Sequence, residues 1–219
     1  ISELVQRDSK SGIQRVVRSI LHEWLNNPPK GLRIEPVYAT VDQGYRYARR
    51  FTLGFLGCPT DALNDEPVEY NSGDIFLGLD LQPEIVPAQK AFYKQLRNDG
   101  VQVQFVVYDL LCVLMPQYFV KDAAEGHKRW LDVVAESDGV ICISKAVADE
   151  VDTWMKEYSP ERLRPFNINW FHLGADVDNS APRNGLPSEE KIELNQISQS
   201  SSFLMVGTLE PRKGHMQVL

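Results

Sequence analysis

The chain has 219 residues, enough for one large domain or two small ones, and its 43% hydrophobic content supports a substantial core. A net charge of −7 argues against a general nucleic-acid binder, which needs a basic stripe, so no nucleic-acid partner is expected. The charge is uneven: residues 1–60 carry nine Lys/Arg against five Asp/Glu, a local excess suited to an anionic membrane surface or a phosphorylated acceptor as well as to ordinary solvation.

The first six residues, ISELVQ, read as the tail of a strand and its loop. Most of a first strand is therefore expected upstream, in keeping with a chain that does not begin with Met. From Ser11 to Asn26, Ile13, Val16, Val17, Ile20, Leu21, Trp24 and Leu25 recur at helical spacing. Ser11 and Gln14 form a capping box, and Pro28-Pro29 stops the helix. Arg33 to Thr40 reads as a strand, and Gly44 to Pro67 fits no periodicity. Asp74 to Leu79 is a further strand, Pro87 to Asn98 a helix, and Val101 to Tyr108 a buried strand. A helix from Asp122 to Ser137, a strand from Gly139 to Ile143, a helix from Ala146 to Glu157 and a strand from Asn167 to Leu173 follow. Such alternation predicts an α/β fold: a Rossmann-like parallel sheet with helices on both faces.

Residues 1–184 are expected to form that domain, and the Ser/Gln-rich stretch 185–202 a linker. Residues 203–219 then open a second domain: an apolar strand, Phe203 to Gly207, the cationic loop TLEPRKG, and a helix from His215. Strand, cationic loop and helix start make half of a phosphate-binding unit.

The chemistry is expected at strand ends, where ligands of open α/β sheets collect. Asp80 and Ser144 each follow a predicted strand, and Tyr108-Asp109 stand at the C-terminal end of another, all on the acceptor side apart from Asp109 itself. Asp109 there suits orienting a hydroxyl or stabilising developing positive charge, and equally suits capping the next turn. Gly12 in the first helical turn lets a ligand approach the helix amides, or simply accompanies the cap. Glu210, Arg212 and Lys213 occupy the loop after the last strand, where two cations suit a diphosphate. YRYARRF alternates rings with cations, so Arg46, Arg49 and Arg50 are candidates for the acceptor side or a membrane surface. The histidines His22, His127, His172 and His215 show no metal-ligand spacing, and His22 and His127 read as exposed or merely packed. Cys58, Cys112 and Cys142 read as reduced core residues of a cytoplasmic protein. No apolar stretch reaches membrane-spanning length, and no GxGxxG supports a nicotinamide enzyme such as a nucleotide-sugar epimerase or dehydrogenase.

In order, DSKSGIQRVVRSIL, GDIFLGLDL, FVVYDLLCVLMPQYF, SDGVICISKAVADEV, WFHLGADV and FLMVGTLEPRKGH resemble the retaining, nucleotide-sugar-dependent glycosyltransferases of family 4. The bacterial mannosyltransferases of O-antigen synthesis are the most similar group. The resemblance implies a GT-B architecture of two Rossmann-like domains, of which this chain holds the first and the start of the second. It implies a hexose, mannose from GDP-mannose, moved with retention to a lipid-linked glycan, without metal or cofactor, at or near the inner face of the membrane. By the same resemblance Gly12 lies near the donor phosphates, and Asp109 is the acid of a His-Asp pair beside the reacting sugar. Arg212 and Lys213 hold the diphosphate, and Gly174-Ala175-Asp176 matches a Gly-x-Asp element. Tyr108 stands where many members have His, and Thr208 where many have Arg. The family's Glu-x7-Glu donor grip is expected beyond Leu219, so the chain alone should be inactive. A non-catalytic acceptor- or partner-binding domain is the competing expectation.

Overall fold

A computed structural model describes residues 1–7, 9, 11–120, 122–158, 162, 164–174, 201, 203, 205–210 and 213–218. The chain divides into two units, Ile1–Leu173 and Gly174–Leu219.

The first unit is built on four parallel strands in the order β3-β4-β5-β6: β3 Ile75–Gly78, β4 Gln102–Val107, β5 Gly139–Cys142 and β6 Asn167–Trp170. Their register places Gly78 beside Phe105, and Cys142 beside both Val107 and Trp170. A small antiparallel pair, β1 Val37–Tyr38 and β2 Arg46–Tyr47, stands apart from this sheet. The helices of this unit are α1 Ser2–Gln6, α2 Gly12–Asn26, α3 Arg49–Phe55, α4 Ile85–Ala88, α5 Lys90–Asn98, α6 Leu111–Leu114, α7 Ala123–Ala135 and α8 Lys145–Tyr158.

The central strand β4 explains the layering. Val103, Phe105 and Val107 point to one face and are fully buried among Tyr93 and Leu96 of α5, Trp130, Leu131 and Val134 of α7, and Val151 and Trp154 of α8. Val106, with Tyr108 just beyond the strand, points to the other face and packs on Leu4 of α1 and Val17 and Leu21 of α2. A strand covered on both faces has to read as a nearly continuous apolar run. Each large side chain so buried contributes roughly 1.5–3 kcal/mol. The parallel sheet with helices on both faces is the expected architecture.

Local chemistry sets several boundaries. Ser11 caps α2 by accepting Gln14 N at 3.3 Å, but the reciprocal half of the predicted capping box is not formed, since Gln14 Oε1 has no hydrogen-bond partner among the described residues. Gly139 is required where β5 starts, because a side chain there would strike the Asn167 carbonyl. Four expectations are corrected. Ser2–Gln6 is helical, not a strand tail, with the Glu3 amide of its first turn held by the Asp80 carboxylate at 2.7 Å. The Arg33 to Thr40 strand shrinks to Val37–Tyr38 and pairs antiparallel with Arg46–Tyr47, since Pro36 supplies no donor and interrupts the run. The Pro87 to Asn98 helix is two helices broken at Gln89, whose side-chain amide reaches the Thr40 carbonyl at 2.9 Å. Within the unpatterned Gly44 to Pro67 stretch lie β2 and α3.

In the second unit the described residues of the predicted Phe203–Gly207 strand form no strand; Phe203 and Val206 are 98% and 85% exposed. A parallel strand needs a pairing neighbour, and none of the described residues supplies one. A helix, α9, does follow the loop at His215–Val218. Of the linker expected at 185–202, only Ser201 is among the described residues.

Candidate functional site at the carboxyl edge of the sheet

The strand-end residues fall where the sequence places them, and their surroundings separate them. Asp80 is buried and its Oδ2 accepts the Glu3 amide. It works as the anchor of α1, a role its position after a strand did not reveal. Tyr108 is buried too, and its hydroxyl donates to the Leu79 carbonyl at 2.8 Å. Burial, then the charge of Asp80, pushes the phenol above its ordinary range, so it stays protonated. The ring lies in the core beneath α1 and α2, not on an open acceptor surface. Ser144 Oγ accepts Val147 N at 3.2 Å and caps α8.

Asp109 differs. It is half-buried, and its Oδ1 accepts Leu111 N at 3.0 Å, starting the turn into α6. Two titratable groups face it. His127 on α7 is buried, stacks edge-on against Trp130 at 5.3 Å, and turns toward the Asp109 main chain. Burial lowers the His127 pKa, while the Asp109 carboxylate and carbonyl oppose that shift. Its Nε2 is buried without a hydrogen-bond partner among the described residues. Glu150 on α8 has its pKa raised, first by burial and then by the charge of Asp109. Asp109 thus lies within electrostatic reach of a buried imidazole and of a second carboxylate.

His127, which the sequence leaves as exposed or packed, is packed and buried. The signal was present: His127, Trp130, Leu131 and Val134 recur at i, i+3, i+4 and i+7, and all four are buried. An imidazole on that stripe faces the core.

Gly12 is exposed at the start of α2, with open space where a Cβ would stand. The three arginines of YRYARRF are committed to one segment. Arg46 donates to the Asp65 carbonyl from Nε and Nη2 at 3.0 and 2.6 Å. Arg49 pairs with Glu66 at 2.6 Å and lies over the Tyr47 ring, and Arg50 donates to Asn64 Oδ1 at 2.8 Å. These contacts pin residues 64–66 to β2 and α3, a structural role beside the acceptor or membrane role expected of these cations. Cys142 is buried and Cys112 half-buried, but Cys58 is exposed, against its reading as a core residue.

In the second unit, Thr208 Oγ1 donates to Glu210 Oε1 at 2.6 Å and Lys213 N to Glu210 O at 2.9 Å. This tight turn needs Gly214, whose φ of +72° lies in the left-handed region. The Lys213 stem lies beside Gly207. Arg212, Ala175 and Asp176 lie outside the described residues. Among the described residues, no three His, Cys, Asp or Glu side chains gather as a metal site, and no helix is long and apolar enough to cross a membrane.

A parallel sheet clad by helices, with a half-buried acid at its carboxyl edge, defines a Rossmann-like α/β domain. Over its whole length the chain is 37% identical to the serotype-specific mannosyltransferase WbdA of Escherichia coli, across 224 aligned residues that make up 26% of that protein. It is 38% identical to another Escherichia coli WbdA, again over its whole length and 27% of that protein. The chain thus spans about a quarter of the length of the curated relatives it matches. No family model matches the chain, and no solved structure matches it.

Proposed function

We propose that the protein carrying this chain transfers mannose from GDP-mannose to a lipid-linked glycan, with retention of configuration. The observation that carries this reading is the likeness to serotype-specific mannosyltransferases along the entire chain. In this reading the first unit is the acceptor-side Rossmann-like domain of a GT-B enzyme. Asp109 is its catalytic carboxylate, orienting the acceptor hydroxyl or balancing the positive charge that develops on the reacting sugar. Arg212 and Lys213, in the cationic loop of the second unit, hold the donor diphosphate. These donors stabilise the leaving charge without a metal, since preorganised cations and amides do so where charge develops. The acceptor oxygen attacks on the face from which the nucleotide leaves, so no protein nucleophile is required. The enzyme works at the inner face of the membrane, where its acceptor is anchored.

The test is transfer of labelled mannose by the full-length protein to a lipid-linked acceptor, with the anomeric configuration of the product read by NMR. Transfer from GDP-mannose with retention supports the proposal. Failure with every nucleotide sugar, together with intact glycan binding, would assign the domain to acceptor recognition alone.

A further inference from the structure

The opposite edge of the sheet carries charge that the proposed reaction does not use. The connections entering β4, β5 and β6 all arrive at the amino-terminal edge of these parallel strands. Their polar residues converge around a cavity of about 520 Å³ lined by Lys90, Lys94, Arg97, Glu136, Arg162 and Arg164.

Part of this charge is neutralised within the fold. Arg97 Nε binds Asp138 Oδ1 at 2.9 Å, and Lys90 Nζ binds Glu136 Oε1 at 2.7 Å. Arg162 has no such partner. Its Nη2 donates to the Ser137 carbonyl at 2.6 Å and its guanidinium lies over the Phe166 ring, but among the described residues no carboxylate pairs with it. Burial, and then the positive charge of Arg97, lower its pKa, a sign that two like charges share a partly desolvated wall. Lys94 and Arg164 are exposed on the rim with no ion pair among the described residues. Five cations and one carboxylate, Glu136, therefore line the concavity, with Asp138 paired to Arg97 outside its lining, and a field of one sign is focused there rather than dispersed.

We propose that this edge is a second site, separate from Asp109, which binds a compact phosphate-bearing anion. Arg162 supplies a planar fork from the wall, and Lys94 and Arg164 supply mobile charge from the rim. Such an anion relieves the repulsion between Arg162 and Arg97 and leaves their hydrogen bonds to the protein in place. A free phosphate compound and a phospholipid headgroup present the same chemistry here.

Titration of the full-length protein with inorganic pyrophosphate at low ionic strength, with excess GDP present to fill any nucleotide site, tests the free anion. Co-sedimentation with phosphatidylglycerol vesicles tests the headgroup. The comparison protein carries Lys94→Glu and Arg164→Glu, with Lys94→Gln and Arg164→Gln as a milder pair should the reversal disturb folding. Saturable binding of either probe, weakened at least roughly tenfold by the reversal with an unchanged melting temperature, supports the site. Pyrophosphate binding points to a free phosphate compound, and vesicle binding alone to a headgroup. No binding of either probe, or binding that the variants leave unchanged, overturns the proposal.

Discussion

Tyr108→Phe separates a packing role from a ligand-facing one at the end of the central strand. The substitution keeps the ring, which is buried against α1 and α2, and removes only the hydroxyl. That hydroxyl donates to the Leu79 carbonyl at 2.8 Å in a buried setting, so its loss strands an acceptor at the end of β3. Loss of one such bond, with part of the desolvation cost of the orphaned carbonyl, amounts to about 1–2 kcal/mol. For a domain of this size the melting temperature should fall by about 2–8 °C. Paired measurements on the full-length protein decide the matter: urea denaturation for stability, and initial rates of sugar transfer for activity. Lower stability with a kcat close to wild type is expected. Unchanged stability together with a large loss of kcat would refute the reasoning and place the hydroxyl on a ligand.

Asp109→Asn should cost little stability, because its amide oxygen can still accept Leu111 N, while kcat falls at least about tenfold for loss of the charge in the reacting site; a normal rate would reduce Asp109 to turn capping. His127 is held neutral by burial, its folded pKa below the ordinary value of about 6.5, so the unfolded chain takes up the proton first as pH falls. Stability should therefore drop below about pH 6.5, and His127→Gln should flatten that drop in urea titrations from pH 8 to about 5; an unchanged slope counts against a buried imidazole. Burial pushes the Cys142 thiol up to about 12, so a thiol reagent should modify exposed Cys58 within minutes and reach Cys142 only on unfolding. Arg46→Ala removes two hydrogen bonds to the Asp65 carbonyl and should speed limited proteolysis between residues 56 and 67, with anionic-vesicle binding unaffected; reduced vesicle binding with normal proteolysis would restore Arg46 to the membrane reading.

The sheet was legible because its central strand is buried on both faces and so reads as one apolar run, VQVQFVV. Helix α2 was legible from its apolar stripe, and its start from Ser11. What stayed hidden depends on distant partners. The helical turn at Ser2–Gln6 is held by Asp80, 77 residues beyond Glu3, and no local pattern records that contact. The arginines at 46, 49 and 50 read as free cations because their acceptors lie 14 to 19 residues away, in a segment without periodicity. His127 was within reach, since its spacing to Trp130, Leu131 and Val134 put it on the buried stripe.

Asp80 and Asp109 show why a strand-end acid cannot be assigned from position alone. Each stands two residues past its strand, which ends at Gly78 in one case and Val107 in the other. The chain then treats them differently. Helix α1 folds over Asp80 and delivers a main-chain amide to its carboxylate, so the acid is buried and its charge is spent on holding that helix. No element closes over Asp109 in this way: the local turn engages Oδ1 through Leu111 N, and the residue remains half-buried. Its neighbours are the titratable groups His127 and Glu150, each perturbed by the charge it carries. Each carboxylate accepts one main-chain amide, so burial is what separates them: Asp80 is closed off and Asp109 stays partly open. That contrast, visible only once α1, α7 and α8 are in place, leaves Asp109 the more accessible of the two strand-end acids.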